Sequence, residues 1–285
     1  MYHIKLGKTG MQVPTIAVGC MRIKNMNEKE ASAFVDTALE LGANFFDHAD
    51  IYGGGRSEEI FGKVVSPSMR ENILIQTKCG IRSGRYDFSY DHIVNAVDGS
   101  LKRLGTDYID VLLLHRPDAL MEPEEVARAF TYLKETGKVR HFGVSNQNPY
   151  QMQLLQNALD MPLCANQLQF GVMHTPMIQS GINVNMYNAS AVVRDSSVLD
   201  FCRLNEITIQ PWSPMQYGFF EGCFIDNDKF PELNETLERI ADKYSVSKTT
   251  MAFAWILRHP AKMQPVTGTT NLTRLADCLK ASDIR

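Results

Sequence analysis

The 285-residue sequence lacks the features that mark membrane, secreted and nucleic-acid-binding proteins. No apolar run approaches the roughly 18 residues that a membrane-spanning helix requires. The first residues, from Met1 to Lys5, lack the apolar core of a secretory signal. The formal charge of −3 leaves no basic surplus to bind a phosphate backbone. We therefore expect a cytoplasmic protein that binds neither a membrane nor nucleic acid.

Paired cysteines are also missing. The six cysteines stand singly, at positions 20, 79, 164, 202, 223 and 278, and no C-x-x-C motif occurs. This spacing matches neither a disulfide framework nor a zinc site, so we expect no metal. Small, scattered thiols of this kind are typical of buried apolar positions in a reducing compartment.

A third absence concerns the fold. Short apolar segments alternate with helical patterns along the whole chain, which favours a parallel sheet covered by helices. An open, doubly wound sheet would carry a G-x-G-x-x-G turn after its first strand, and none is present. We therefore predict a closed (β/α)8 barrel of the TIM type, formed by residues 1–285 as a single domain. The eight predicted strands are Thr15–Gly19, Asn44–Asp47, Asn72–Lys78, Asp107–Leu114, Val139–Val144, Leu163–Leu168, Ile207–Gln210 and Met263–Thr267.

Flanking residues indicate where several other elements begin and end. A hairpin is predicted over residues 2–13, with its turn at Lys8–Gly10. Asn27 followed by Glu30 has the capping-box pattern of a helix start. Pro123 at a first helical position and Gly137 beyond the last one bracket another helix. Further helices are predicted over 57–65 and 91–104, and a short one carries Arg274.

Several predicted strands end on polar side chains. The strand at Asn44–Asp47 ends on a carboxylate, and Tyr52 follows five residues later, directly before Gly53, Gly54 and Gly55. Another strand ends on Lys78, and His115 follows a third. In a parallel barrel these ends share one face, where barrel enzymes hold their substrates. The sequence thus predicts that an acid, a tyrosine, a lysine and a histidine lie together at one end of the barrel.

These four residue types suit proton delivery to an oxygen. A tyrosine hydroxyl has a reference pKa of about 10, and a nearby cation such as Lys78 is expected to lower it. Asp47 can hold Lys78 charged, and His115 can donate a hydrogen bond to a carbonyl oxygen. Taken singly, they are a helix cap, a half-buried ring, an ion-pair partner and a core histidine. Their joint occurrence at neighbouring strand ends favours catalysis, in which a hydride reaches carbon while oxygen is protonated.

The sequence resembles the aldo-keto reductase family along nearly its whole length. Asp47-His48-Ala49-Asp50-Ile51-Tyr52 fits the D-x-A-x-x-Y signature of that family, and the run from Leu101 through His115-Arg116-Pro117 fits a second motif. Phe142–Asn146 and Asn166-Gln167 fit its nicotinamide-carboxamide site. The resemblance implies a (β/α)8 barrel whose bottom is closed by the hairpin. It also implies Tyr52 as general acid, Lys78 and Asp47 as its tuning pair, and His115 as substrate orienter.

The same resemblance implies a cofactor site. Ser145, Asn146 and Gln167 would bind the carboxamide, and Trp212 would stack on the nicotinamide where the family usually has tyrosine. Ser213, Met215 and Tyr217 would line the pyrophosphate channel. Gly268, Thr269 and Arg274 would form the phosphate-binding run, with Gly268 standing where a lysine is common. Thr269 and Arg274 can still bind a 2′-phosphate, so NADP (as NADPH) is the predicted cofactor rather than NAD.

Two long connections are predicted at the same face. One runs from Phe170 to about Arg194 and the other from Met215 to about Phe230. Both are rich in Met, Tyr, Phe and Val, which is unlike a disordered loop. We expect them, through Met173, Met177 and Tyr187 among others, to form apolar walls above Tyr52 and His115.

Three functional hypotheses follow. The first is an NADPH-dependent reductase of small-molecule aldehydes or ketones, acting as a monomer or weak oligomer. The second is a nicotinamide-binding regulatory subunit with little or no turnover. The third is a lyase that uses Lys78 as a Schiff-base amine. The complete set of four catalytic residue types, together with the carboxamide motif, favours the reductase.

Overall fold

The computed structural model describes residues 1–192 and 196–284. Within these ranges the strands are β1 (His3–Lys5), β2 (Gln12–Pro14), β3 (Val18–Gly19), β4 (Phe45–Asp47), β5 (Leu74–Cys79), β6 (Ile81–Arg82), β7 (Arg85–Tyr86), β8 (Ile109–Leu114), β9 (Val139–Ser145), β10 (Leu163–Gln169) and β11 (Thr208–Trp212). The helices are α1 (Glu28–Glu40), α2 (Arg56–Val64), α3 (Pro67–Arg70), α4 (Tyr90–Leu104), α5 (Pro123–Glu135), α6 (Pro149–Ala158), α7 (Pro176–Ile182), α8 (Val198–Leu204), α9 (Pro231–Tyr244), α10 (Lys248–Leu257) and α11 (Leu272–Lys280). Short 3-10 turns occupy Ile23–Asn25, Ala189–Ala191 and Ala281–Asp283.

The central sheet is parallel and curls into a barrel. Its strand order is β3-β4-β5-β8-β9-β10-β11. The gap between β11 and β3 is filled by the extended segment 263–267, whose backbone bonds to both neighbours. Gln264 and Val266 donate to carbonyls of β11, while Ala17 donates to Pro265 and accepts from Thr267. The predicted (β/α)8 barrel is confirmed.

The predicted eighth strand is the least regular part of this barrel. Met263–Thr267 lies at the expected place, but only Val266 forms a ladder bridge, to Ala17. Pro265 has no N–H to donate, so the ladder is interrupted at that residue.

The hairpin of β1 and β2 closes one end of the barrel. Ile4, Leu6 and Val13 from this hairpin pack into one buried cluster with inward side chains of the barrel strands, among them Val111 and Leu113 of β8. Residues 112 and 114 of the same strand pack on the opposite face, in the larger cluster beneath the helices. Every residue of β8 is therefore buried, as expected for a strand with both faces covered.

Predicted helix signals agree with the structure. Asn27 and Glu30 form a reciprocal capping box at the start of α1. Pro123 is the first residue of α5, and Gly137 follows its end in a left-handed conformation. Asn148 and Gln151 form a second capping box, at α6, that the sequence interpretation had missed.

Two segments predicted as loops contain regular structure. The connection after β5 forms the small hairpin β6–β7. The stretch that begins at Phe170 contains α7, and its predicted end, Arg194, lies outside the described residues. None of the helices in the described ranges is long and apolar enough to cross a membrane.

Candidate active site

Four polar side chains converge where β4, β5 and β8 end. Asp47 is the last residue of β4, Lys78 is the penultimate residue of β5, and His115 directly follows β8. Tyr52 lies in the turn between β4 and α2. Since β4, β5 and β8 are neighbours in a parallel sheet, their carboxyl ends open at the same mouth. The structure thus brings the four predicted catalytic residues together.

Lys78 is at the centre of this group. Its side chain is fully buried, and its ammonium lies 2.8 and 2.9 Å from the two carboxylate oxygens of Asp47. It also donates to the carbonyl of His48 at 2.6 Å and to the hydroxyl of Tyr52 at 3.2 Å. A buried ammonium is tolerated only when it is paired and fully hydrogen-bonded. Asp47 therefore holds Lys78 as a cation against the Tyr52 oxygen.

Burial has the largest effect on the acidity of Tyr52. It raises the pKa of the hydroxyl above 10, and the opposing pull of the Lys78 cation does not cancel it. The expectation that Lys78 would bring this pKa below its reference value is wrong for the protein alone, because desolvation of the phenolate outweighs the attraction. Tyr52 is consequently a protonated phenol at neutral pH, ready to donate.

The acidity of Lys78 bears on the lyase hypothesis. Burial lowers the pKa of Lys78, but Asp47 and Tyr52 together outweigh burial and leave it above its usual value. A Schiff-base lysine needs a lowered pKa, so that the free amine can attack a carbonyl. The environment of Lys78 does the reverse, and the lyase hypothesis is disfavoured.

His115 faces Tyr52 edge-on, with the ring centroids 5.9 Å apart. Burial lowers the pKa of His115 well below 6.5, and the charges of Lys78 and Arg116 lower it further. The imidazole is therefore neutral at pH 7 and carries one donor nitrogen and one acceptor nitrogen. Its Nδ1 atom is buried and has no hydrogen-bond partner among the described residues. His115 is thus suited to donate one hydrogen bond to an oxygen placed beside Tyr52.

Asp47 is held by two glutamines as well as by Lys78. Gln76 and Gln167 donate to its Oδ1 atom at 2.6 and 3.0 Å. Hydrogen bonds from these amides fix the orientation of the carboxylate. The lysine is therefore positioned by a carboxylate that is itself immobilised.

A chain of buried amides continues from Gln76 into the barrel. Gln76 and Gln210 exchange two hydrogen bonds, at 2.9 and 3.0 Å, and Gln210 donates to Gln264 at 2.9 Å. Gln264 donates in turn to the carbonyl of Pro14, in the hairpin at the bottom, at 2.7 Å. These three glutamines have no exposed surface. The Asp47 carboxylate is thereby connected by hydrogen bonds to the closed end of the barrel.

The sequence interpretation missed this chain, although the sequence contained a signal for it. Gln76 stands two residues before Lys78, and Gln210 stands two residues before Trp212. Alternate residues of a strand point to the same face, so both glutamines face the barrel interior with those residues. Polar residues at inward positions of otherwise apolar strands are the pattern to look for.

The predicted carboxamide site assembles on the neighbouring strands. Ser145 ends β9 and lies opposite Gln167 of β10, to whose carbonyl its hydroxyl donates at 3.0 Å. The Asn146 amide donates to the Ser145 hydroxyl at 2.8 Å and accepts from the indole N–H of Trp212 at 3.1 Å. Asn146 is in a left-handed conformation (φ 57°), which asparagine tolerates better than most residues.

These residues fit a nicotinamide. Trp212 ends β11 and keeps part of its indole exposed, so a flat ring can stack on it. The hydroxyl and amide groups beside it can both donate and accept, as a carboxamide requires. The side chains of Ser145, Asn146 and Trp212 are bonded to one another, which keeps the arrangement in place.

Comparisons with known proteins agree with this geometry. The model of the aldo/keto reductase family matches residues 15–285. The chain belongs to the aldo/keto reductase family. It is similar to the oxidoreductase YdhF of Escherichia coli strain K12, with 33% identity over 296 residues that cover 99% of this chain and 93% of the relative. A 6-dehydroglucose reductase of Agrobacterium fabrum strain C58 is 34% identical over 293 residues, covering 95% and 91%.

A solved structure shows the same fold. The thermostable aldo-keto reductase Tm1743, crystallised with the inhibitor epalrestat, matches with a TM-score of 0.80 at 24% identity, covering 100% of this chain and 95% of that one. Family membership and the oxidoreductase relatives make this protein an NAD(P)H-dependent oxidoreductase.

The predicted phosphate side of this reductase lies at the start of α11. Arg274 is in the first turn of this helix with its side chain exposed, and Thr269 accepts from the backbone of Asn271 at 3.1 Å. The sequence interpretation noted glycine at 268 but not the reason for it. Arg22 donates to the carbonyl of Gly268, and a Cβ on residue 268 would lie only 2.9 Å from the guanidinium. A second cation, Arg22, therefore stands beside this segment.

The remaining predicted cofactor residues lie in the connection after β11. Ser213 is in a left-handed conformation (φ 47°), directly after Trp212. Met215 packs against two apolar clusters. The hydroxyl of Tyr217 donates to the carbonyl of Glu221 at 3.0 Å, and its ring packs 4.9 Å from that of Phe230. Their contact with a pyrophosphate stays a prediction.

The apolar surface near the site is formed in part by residues other than those predicted. Met177 is buried in the main core and does not fit the expected role. Met173 is partly buried against the cluster around Phe224, and its place in the wall stays a prediction. Tyr187 is fully exposed. The aromatic surface near Trp212 comes instead from Phe219 and Phe220, whose ring centroids lie 6.2 and 6.3 Å from the indole.

A second cluster of acidic groups borders the site. Asp50 donates its backbone N–H to the carbonyl of Lys78 at 3.0 Å. Burial raises the pKa of the Asp50 carboxyl to about 7, and the nearby charge of Glu58 contributes. Glu58 itself accepts from Thr77 at 2.6 Å and from Arg103 at 2.8 Å. Among the described residues, no group of three or more His, Cys, Asp and Glu side chains could hold a metal ion.

Proposed function

We propose that this protein is an NADPH-dependent carbonyl reductase that converts aldehydes or ketones to alcohols. When bound, the reduced nicotinamide supplies a hydride to the carbonyl carbon. Tyr52 gives its hydroxyl proton to the carbonyl oxygen, so that one hydride and one proton complete the alcohol. The convergence of Tyr52, Lys78, Asp47 and His115 on one mouth is the observation that carries this proposal.

Tyr52 is the proposed general acid. As its proton leaves, negative charge develops on an oxygen that is already 3.2 Å from the Lys78 ammonium. The cation stabilises that charge in the transition state more than it stabilises the neutral phenol, which is what accelerates a reaction. Asp47 keeps Lys78 charged throughout, and Gln76 and Gln167 keep Asp47 in place.

His115 is the proposed orienter of the carbonyl. Because its imidazole is neutral, it can donate one hydrogen bond without competing with Tyr52 as the acid. A carbonyl oxygen held between His115 and Tyr52 would be fixed in place while the hydride reaches its carbon. Positioning of this kind lowers the barrier by fixing the reacting atoms before reaction.

The residues near α11 support NADPH as the cofactor. Arg274 and Thr269 supply a guanidinium and a hydroxyl for the 2′-phosphate, and Arg22 adds a further cation at Gly268. An anion at this place also lies near the N-terminus of α11. NADH lacks the 2′-phosphate and would gain nothing from these groups.

The proposed setting is the cytoplasm. All six cysteines are unpaired and five of them are buried, which suits a reducing compartment. We propose that the protein acts there on a small carbonyl compound, as a monomer or weak oligomer.

Turnover is the test. Purified protein would be mixed with NADPH and a panel of aromatic, aliphatic and sugar-derived aldehydes and ketones, and NADPH oxidation would be followed by absorbance. Steady oxidation that depends on both the enzyme and the carbonyl is expected, with a stoichiometric alcohol product. Binding of NADPH without turnover across the whole panel would instead support a regulatory subunit.

A further inference from the structure

Arg116 is a half-buried arginine that has no counterion among the described residues. It directly follows His115, and its guanidinium lies 5.7 Å from the centroid of the Trp212 ring and 6.0 Å from that of Phe219. No ion pair or hydrogen bond joins its side chain to any other residue in 1–192 or 196–284. Its guanidinium lies over these two aromatic rings.

Three other arginines of the barrel are neutralised by buried carboxylates. Arg70 and Arg140 both bind the buried carboxylate of Asp110, and Arg103 binds the buried carboxylate of Glu58. The ring contacts hold Arg116 in place through cation–π attraction but leave its N–H donors free. A planar guanidinium with free donors is the group best suited to bind a carboxylate through two parallel hydrogen bonds.

The position of Arg116 connects it with the proposed reaction. His115 is its neighbour in sequence and faces Tyr52. Trp212, over which Arg116 lies, is bonded to Asn146 of the carboxamide site. Arg116 therefore borders the space between the proposed acid and the proposed nicotinamide platform, and Phe219 and Phe220 add an apolar wall there.

We propose that Arg116 binds a carboxylate of the substrate, so that the preferred substrates are apolar or aromatic aldehydes and ketones that carry a carboxylate away from the carbonyl. This inference rests on the proposed reductase function and adds the substrate class. It adds a charged contact to the apolar walls that were expected from the two long connections. The aromatic wall accommodates the body of the substrate, and Arg116 determines which end faces Tyr52.

The test uses two aldehydes that differ in one charge. 4-Carboxybenzaldehyde and methyl 4-formylbenzoate share the ring and the reacting group, but only the first is an anion. The kcat/KM for each would be measured at saturating NADPH in wild type, Arg116→Gln and Arg128→Gln. Arg128 is a matched control because it is an exposed arginine on α5, 64% accessible.

Wild type is expected to favour the carboxylate substrate. Arg116→Gln should lower kcat/KM for the carboxylate by about 10–100-fold, the range of a hydrogen bond to a charged group, and should change that for the ester far less. Arg128→Gln should change neither. The wild-type preference should shrink as salt is added, because the carboxylate contact is partly exposed.

Other results would overturn the proposal. An equal loss for both aldehydes would mean that Arg116 acts on His115 rather than on the substrate. A loss confined to the KM for NADPH would mean that Arg116 contacts the cofactor. If neither aldehyde is turned over, binding of 4-(hydroxymethyl)benzoate and of its methyl ester, followed by Trp fluorescence, gives a separate test. Equal affinities of the two alcohols would then refute the carboxylate site, whereas the absence of turnover would count against the reductase function alone.

Discussion

The proposed catalytic interior and the proposed cofactor rim of this protein are built differently. In the interior, Lys78 and Gln76 have no exposed surface, and their polar atoms are bonded to neighbours at 2.6–3.2 Å. At the rim, Arg274 is exposed, and Arg22 donates to a backbone carbonyl. The proposed acid is therefore held in place by the protein alone, whereas the proposed phosphate site would be completed by its ligand. Changes in the interior should affect the rate, and changes at the rim should affect affinity.

Apart from the loss of the Tyr52 hydroxyl itself, the largest expected effect comes from Lys78, the centre of the interior. Lys78→Met removes the cation beside Tyr52 but keeps most of the buried volume. Turnover should fall by roughly 10²–10⁴-fold, the usual contribution of general acid catalysis, because nothing then stabilises the developing phenolate. NADPH affinity, measured by fluorescence titration, should stay close to that of wild type. A comparable loss of both turnover and NADPH affinity would contradict the view that interior residues affect the rate and rim residues affect the affinity.

Gln76 should have the next largest effect. Gln76→Met deletes one donor to Asp47 and both bonds to Gln210, and it should reduce the free energy of unfolding by about 1–3 kcal/mol, the cost of leaving buried partners unsatisfied. It should also lower kcat, because Asp47 and thus Lys78 become less firmly placed. Gln264→Met is the matched control, since it breaks the same amide chain without touching Asp47. Denaturant melts and kcat would be compared, and an equal loss of kcat in both variants would refute a positioning role for Gln76.

Arg274 tests the rim. Arg274→Ala should weaken NADPH binding by about 1–3 kcal/mol, because a charge-assisted contact with the 2′-phosphate is lost, and should leave NADH affinity nearly unchanged. The kcat at saturating cofactor should stay close to that of wild type. Fluorescence titrations with both cofactors measure the difference. An equal loss of affinity for NADPH and for NADH would refute the proposal that Arg274 binds the 2′-phosphate.

The smallest expected effect is a pH dependence that comes from Asp50, next to the interior. Its pKa is raised from 3.8 to about 7, so between these values the folded protein binds more protons than the unfolded chain does. The free energy of unfolding contributed by Asp50 is therefore fully present below about pH 4 and is lost as the pH rises through 7.

Asp50→Asn removes this titration, because asparagine stays neutral at every pH. As the pH rises from 5 to 8, wild type should lose stability relative to the variant. The change in the difference should be on the order of 1 kcal/mol, since Asp50 is partly exposed. Denaturant melts at pH 5 and pH 8 would measure the change. A stability difference between wild type and variant that is the same at both pH values would contradict the raised pKa.

The sequence predicted the barrel and the interior site because their signals are local. Strand ends such as Phe46-Asp47 and Thr77-Lys78 show both the apolar run and its polar end, and parallel topology then brings the ends together. The site assignments themselves stay predictions, to be tested by the variants above. Gln210 and Gln264 were missed because their partners lie far away in sequence, on other strands.

The direction of the Tyr52 pKa could not be predicted from residue types alone. Two opposing influences act on the hydroxyl, burial and the Lys78 cation, and only the structure shows how deeply the group is placed. The same holds for Gly268. Glycine stands there where the family often has lysine, so the sequence suggested that a positive charge was missing from the phosphate site. In the structure Arg22, which is 246 residues earlier in the chain, supplies a positive charge beside Gly268.

One measurement tests the central claim most directly, namely that Tyr52 supplies the proton from a prearranged interior. Tyr52→Phe removes only the hydroxyl and leaves the ring in place. We expect NADPH binding to survive and turnover of a good aldehyde substrate to fall by roughly 10²–10⁴-fold or more. Combining it with Lys78→Met should add little, since both changes disable one proton-transfer unit. A Tyr52→Phe enzyme that binds NADPH normally and reduces the aldehyde at the wild-type rate would contradict the mechanism.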